Sequence, residues 1–263
     1  MIGNYELGMS LNPAFDPLII AAISATFLLA GAVKGVTGLG LPTLSLGLLT
    51  AALDLTTAMA LLIVPSFVTN LWQVVVGGNG RAILLRVWPS LVMATAAVWL
   101  GATALTRVDL SLLSALLGGL LVVHSALNLT GVRIEIAGRR EVWAGPLLGA
   151  ANGILTGMTG SFVVPGVMFL QAIGLSRDAL VQAMGILFTV STIALALALR
   201  GHSLMTINLS LVSTAAVIPA LVGIVAGQRI RRRLSEDRFR QVFFIAILIL
   251  GAYIISTAAV GVL

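Results

Sequence analysis

The chain has 263 residues, of which 59% are hydrophobic and 9% charged, with a formal charge of +6 and no cysteine. A soluble domain carries about 25% charged residues, so the composition and a mean hydropathy of +1.11 exclude a soluble globular protein. The absence of cysteine excludes disulfides and thiolate metal sites. The arginines lie mostly in connecting segments, which the positive-inside rule explains better than a nucleic-acid partner does.

Residues 1–16 carry Glu6 and Asp16 but no Lys or Arg. That stretch lacks the basic start of a signal peptide, so the first hydrophobic helix is expected to be retained. Hydrophobic segments follow at 17–34, 41–53, 56–77, 82–105 and 109–130. A second series runs at 142–158, 161–174, 177–199, 205–228 and 239–262. Each half reads long, short, long, long, long. The polar stretch from Thr130 to Glu141 joins the halves, so the expected units are an N-terminal extracytoplasmic segment 1–16, a repeat 17–131, a cytoplasmic linker 132–141 and a repeat 142–263.

A spanning helix needs about 20 residues, and apolar runs of about 10–14 are more often re-entrant or buried. Segments 41–53 and 161–174 fall in the shorter class. Segments one and two of each half therefore read as a helical hairpin whose two ends lie on the same side. Three further crossings make the count odd, so the second half must enter from the opposite face. The expected fold is an all-α polytopic membrane protein with an inverted-topology repeat, each half a broken hairpin plus three transmembrane helices. With the N-terminus outside, alternation puts thirteen of the fifteen basic residues inside, Lys34 among them, and leaves Arg107 and Arg200 outside. A parallel repeat would place Arg81, Arg86 and the linker arginines outside, against the positive-inside rule. Leu263 then ends outside, and the Arg229–Arg240 region anchors the inner surface.

Both hairpins break at glycine motifs. The first is Lys34-Gly35-Val36-Thr37-Gly38-Leu39-Gly40-Leu41-Pro42 and the second Gly157-Met158-Thr159-Gly160-Ser161-Phe162-Val163-Val164-Pro165. Gly35, Thr37 and Gly38 match Gly157, Thr159 and Gly160 at a constant separation of 122 residues, as from Gly35 to Gly157. Gly and Pro free backbone groups from the helical ladder, and in hydrocarbon such groups must find partners in protein or beside water. Matched breaks in two halves point to a transporter's binding site, here expected near the membrane midplane where the two hairpins meet, lined by Thr37, Gly38, Thr159 and Gly160 and worked by alternating access. The copies differ: Phe162 stands where Gly40 maps, and Pro165 is displaced by one place from Pro42.

All nine carboxylates fall at segment ends or in loops, so the mid-membrane Asp or Glu of a cation pump is missing. The interior offers neutral donors instead, helix N-termini at the breaks add partial positive charge, and Lys34 adds a full one. Together they describe an anion site with candidate residues Lys34, Thr37, Gly38, Gly40, Asn70, Gln73, Asn152, Thr159, Gly160, Ser161 and Gln182. Alternatives stay open. The glycines also suit close helix packing, and Lys34 could snorkel to the cytoplasmic interface. His124 reads as a packed hydrogen-bonding group, and its pairing with Ser161 as an intramembrane catalyst has no supporting motif.

At these motifs the chain resembles the sulfite exporter TauE/SafE family of bacterial membrane proteins, over about residues 17 to 262. The resemblance is carried by residues 31–42, by 152–160 with Pro165, and by Ala226-Gly227-Gln228-Arg229-Ile230, which echoes Leu100-Gly101-Ala102. It implies a non-enzymatic carrier of sulfite, organosulfonates or related small anions in the bacterial inner membrane, with no cofactor and no nucleic-acid partner. The expected partners are the anion and the lipid bilayer; oligomeric state, a homodimer included, is left open. A passive channel or a carrier of another small anion such as a carboxylate is the alternative.

Overall fold

A computed structural model describes residues 16–132, 135–231 and 235–261. Most of the expected N-terminal segment, together with Arg133, Arg232, Arg233 and Leu263, lies outside the described residues. The described chain is helical without strands. Its elements are α1 (Pro17–Thr37), α2 (Leu41–Ala52), α3 (Leu55–Val76), α4 (Gly80–Leu105), α5 (Leu110–Thr130), α6 (Arg139–Thr159), α7 (Gly166–Ala172), α8 (Arg177–Gly201), α9 (Ile207–Ala215), α10 (Val217–Arg231) and α11 (Glu236–Ala259). Among the described residues seven helical stretches are long and apolar enough to cross a membrane: α1, α3, α4, α5, α8, the α9–α10 pair and α11. The chain is a polytopic helical membrane protein.

The starts of these helices follow from local chemistry. Asp16, Asp54 and Asp109 each accept a backbone N–H in the first turn of α1, α3 and α5. Such a cap satisfies one of the donors that a helix start leaves open. These carboxylates therefore mark helix ends. Pro65 has no N–H for the carbonyl of Leu61. Ser213, on α9, repairs the gap: its hydroxyl donates to Leu61 O at 2.8 Å and accepts from Val64 N at 3.2 Å. Pro219 has a different effect. Its ring crowds the preceding turn, and the span is interrupted at Ala216, between α9 and α10.

The two halves interlock reciprocally. Helix α1 packs along α10, and α6, its counterpart in the second half, packs along α4; α3 pairs with α8 and α5 with α11. Glycine makes the first two pairings possible. A Cβ on Gly31 or Gly35 would lie 2.2 or 2.3 Å from the carbonyl oxygen of Ala220 or Ile224. On the other pair, a Cβ on Gly149, Gly153 or Gly157 would lie 2.3, 2.1 or 2.2 Å from the carbonyl oxygen of Ser90, Ala94 or Val98. The reverse contacts hold as well, from Gly227 to Ala32 and from Gly101 to Ile154. Backbone therefore meets backbone, which only a missing side chain permits. Close approach of this kind, with dispersion gained over many atoms, holds helices together where lipid removes the hydrophobic driving force. The matched Gly35 and Gly157 are thus packing residues.

Each short segment returns beside its partner. Ile19 and Ile23 of α1 and Leu53 and Asp54 after α2 line one cleft of about 430 Å³, with Thr57 of α3 and Thr206 of the α8–α9 loop. Glu141 of α6 and Ile173 to Leu175 after α7 line another, of about 980 Å³, with Arg86, the linker residues Glu135 to Gly138, and Arg240. Both ends of each hairpin thus share one cleft. The clefts lie at opposite ends of α3: Thr57 borders the smaller, while Val74 near the other end meets Gln182 beside the larger. Between those ends the 22 residues of α3 rise about 31 Å. The return arms differ. The expected second arm 161–174 is helical only over the seven residues of α7, because Pro165 disfavours helix at the residue before it.

Candidate functional site

The two breaks use one local device. Thr37 Oγ1 donates to Val33 O and also accepts Leu39 N, at 3.0 and 3.1 Å. Thr159 Oγ1 likewise donates to Leu155 O and accepts Ser161 N, at 2.7 and 3.3 Å. The glycine after each threonine takes a left-handed conformation, φ 80° at Gly38 and 73° at Gly160, which glycine adopts without a Cβ penalty. Their N–H groups return to Lys34 O and Thr156 O, so the freed groups are satisfied inside the protein. Threonine and glycine in this order terminate a helix in the membrane. The two threonine hydroxyls are engaged with backbone.

The structure separates the two breaks. Gly38 O accepts Gln73 Nε2 at 2.6 Å, near the linker-side end of α3. Gly160 packs on Met59 of α3 and Leu46 of α2. Met59 and Gln73 are fourteen residues apart on one helix, about 21 Å along its axis. Each hairpin thus reaches past the other, and Thr37 and Gly38 do not share a mid-depth point with Thr159 and Gly160. Their settings are nonetheless equivalent, since Gly38 faces Val181 as Gly160 faces Met59, again 122 residues on. Gly40, with φ 98°, opens α2 against Val33 and Phe243. Gln182 is engaged structurally, accepting Asn79 N at 2.9 Å and donating to Val74 O at 2.7 Å. Asn152 Oδ1 accepts the first amide of α7, Gly166 N, at 3.0 Å. Ser161 is buried, and its carbonyl accepts the hydroxyl of Thr156.

Lys34 is where charge and unused donors meet. Its side chain does not snorkel; the residue is 5% exposed, inside the bundle between α1 and α3. The ammonium donates to Thr69 Oγ1 at 3.0 Å and Asn70 Oδ1 at 2.5 Å. An ammonium has three protons and no lone pair, so the atom of Asn70 facing it must be the oxygen. That choice turns Asn70 Nδ2 away, and it is buried without a partner. Ser66 Oγ, one turn before Asn70, is also buried and unpartnered. Among the described residues no carboxylate pairs with Lys34. A buried cation without a counter-ion is costly in a low dielectric, and buried donors without acceptors add to that cost.

Sequence reasoning missed Thr69 and Ser66. Their signal was the run Pro65-Ser66-Phe67-Val68-Thr69-Asn70, in which Ser66, Thr69 and Asn70 share one helical face. It also missed the bidentate pair of Arg86 with Glu141, at 2.7 and 2.9 Å, whose guanidinium additionally donates to Ile173 O. His124, by contrast, sits edge-on to Phe244 with Asn128 Nδ2 at 3.3 Å, a packed setting.

Fold and site together define a helical membrane protein with a buried lysine that has no carboxylate partner among the described residues and unpartnered polar groups near it. A family model described as Sulfite exporter TauE/SafE matches residues 23–254. The chain therefore belongs to the TauE/SafE family of membrane transporters. Comparison with curated proteins and with solved structures gave no match.

Proposed function

We propose that the protein exports small sulfur-containing anions, such as sulfite or organosulfonates, across the bacterial inner membrane by alternating access. The single observation that carries this reading is the Lys34 ammonium, buried without a carboxylate beside the unpartnered Asn70 Nδ2. In this reading an oxyanion accepts from the free ammonium proton, from Asn70 Nδ2 and from Ser66, contacts that are strong because one partner is charged. Asn152, Thr37 and Thr159 support the site by holding the hairpin returns. The halves 17–131 and 142–263 act as inverted repeats joined by the linker 132–141, a reading supported by the hairpins' entry from opposite ends. Both termini then face outward and the arginine-rich end faces the cytoplasm. Export is the favoured direction because an inside-negative potential drives an anion outward by about 2.3 kcal/mol per charge per 100 mV.

Proteoliposomes loaded with radiolabelled sulfite, thiosulfate, sulfoacetate, sulfate and small carboxylates test the reading. Flux of one or more sulfur oxyanions, saturable and faster outward under an inside-negative potential, is expected. Flux of sodium or neutral sugars with no anion movement overturns it, and unitary currents in a planar bilayer would identify a channel instead.

A further inference from the structure

The two clefts occupy equivalent positions in the two halves. Ile19 and Leu53 of the smaller cleft lie 122 residues before Glu141 and Leu175 of the larger, and Asn208 of the smaller lies 122 residues after Arg86 of the larger. Equivalent backbone thus carries different chemistry at the two ends. The larger, linker-side cleft of about 980 Å³ is lined by Arg86, Arg177 and Arg240, with Glu135, Glu141, Asn128 and Gln171. Glu141 is engaged bidentately by Arg86, which neutralises that pair. Among the described residues the lining carries three arginines, Arg86, Arg177 and Arg240, against two glutamates, Glu135 and Glu141, so its formal charge is positive. Arg139 and Arg140 open α6 beside the cleft, and Asp178 follows Arg177. Among the described residues the smaller cleft, of about 430 Å³, is lined by one ionisable group, the carboxylate Asp54.

We propose that the linker-side cleft is an anion-binding vestibule that concentrates small oxyanions ahead of the buried Lys34, and that Asp54 makes the opposite mouth unfavourable to them. The inference deepens the transport reading, on which its biological meaning rests. A concave, low-dielectric wall of one sign focuses field lines and raises the local concentration of the opposite charge. Arg240 is the principal group. It is exposed at the start of α11, its guanidinium is permanently charged, and it suits planar oxyanions. The Arg86–Glu141 pair serves a different end, tying α4 to the start of α6 and to the carbonyl of Ile173 beyond α7. It shapes the cleft wall without adding charge. The same asymmetry raises anion occupancy at one mouth relative to the other, while the direction of net flux is set by the electrochemical gradient.

The test reads local potential and needs no transport. The chain has no cysteine, so single cysteines at Gln171 and Asn208 report on one cleft each. Full-length protein in detergent is reacted with a sulfonate-bearing and a trimethylammonium-bearing methanethiosulfonate, and the rate ratio is normalised to a free thiol. At Gln171→Cys the anionic reagent is expected to be favoured about tenfold. High salt and an added Arg240→Gln substitution should each shrink that preference by at least about half. At Asn208→Cys the cationic reagent is favoured, and Asp54→Asn, which keeps the helix cap, removes the preference. Equal ratios at the two positions overturn the proposal, as does a Gln171→Cys preference indifferent to salt and Arg240→Gln. If the ratios hold while proteoliposomes carry no anion, the transport reading fails and the vestibule stands. If anions are carried and the ratios are flat, the vestibule alone fails.

Discussion

Substituting Gly157 by alanine adds one methyl group where α6 crosses α4. The new Cβ would sit 2.2 Å from Val98 O, 2.5 Å from Ala102 N and 2.8 Å from the carbonyl carbon of Gly101. All three are backbone atoms, so no side chain can swing aside. Ordinary carbon contacts are about 3.5–4.0 Å, which means the helices must part by more than about 1 Å. A gap of that size forfeits a quarter to a half of the dispersion well at each contact, and Gly149, Gly153 and Gly101 share the same crossing. Overpacking costs about 1–3 kcal/mol where side chains can adjust, so about 3 kcal/mol is the expectation here. At about 2–4 °C per kcal/mol for a chain of this size, the melting temperature in detergent should fall by about 6–12 °C. Gly119→Ala is the control, since nothing lies within 4 Å of its Cβ position and alanine favours helix by up to about 1 kcal/mol. Fluorescence-detected size-exclusion chromatography across a temperature series measures both. If Gly157→Ala melts with wild type, the close crossing is not what the glycine provides. Gly35→Ala, 2.3 Å from Ile224 O, should behave as Gly157→Ala does.

Ser213→Ala should lower stability by about 1–3 kcal/mol, because Leu61 O loses the donor that replaces the missing N–H of Pro65; the same thermal assay reads it, and an unchanged melting temperature would mean that water or relaxation serves that carbonyl. Thr37→Val and Thr159→Val should destabilise the breaks while leaving anion affinity within about twofold, since both hydroxyls are engaged with backbone; a large loss of binding in calorimetry with normal melting would return those threonines to the substrate. A cysteine at Ser235 should react with an impermeant reagent only from the cytoplasmic face, and labelling from outside in intact cells would reverse the orientation.

Much of the architecture was legible because membrane physics makes strong demands on sequence. A segment too short to span beside a glycine break reads as a hairpin, and both hairpins were found with both ends at one cleft. The motif's second element, threonine followed by glycine, was legible as a break but not as a self-contained cap. That distinction depends on hydroxyl direction, to Val33 in one case and Leu155 in the other. The depth of the tips was not legible either. It depends on how far α1 and α6 slide along α10 and α4, which is set by glycine contacts with residues far away in sequence, such as Gly31 with Ala220. Lys34 stood out as a charge in a hydrophobic run. Its partners on α3, 35 and 36 residues on, follow only once α3 is known to face α1. The Arg86–Glu141 pair, 55 residues apart, was hidden because Arg86 also suits the charged start of a membrane helix and Glu141 the end of a polar linker.

The most direct measurement is anion counterflow by Lys34→Met in proteoliposomes, read beside its melting temperature. Methionine preserves the stem's bulk and removes the charge. Loss of the bonds to Thr69 and Asn70 destabilises, while removal of a buried cation without a counter-ion stabilises, so the melting temperature should move little. Counterflow of the transported sulfur oxyanion should fall on the order of 100-fold or more, the equivalent of about 3 kcal/mol of lost charged contact. Wild-type counterflow by folded Lys34→Met would contradict the account and leave Lys34 a packing residue.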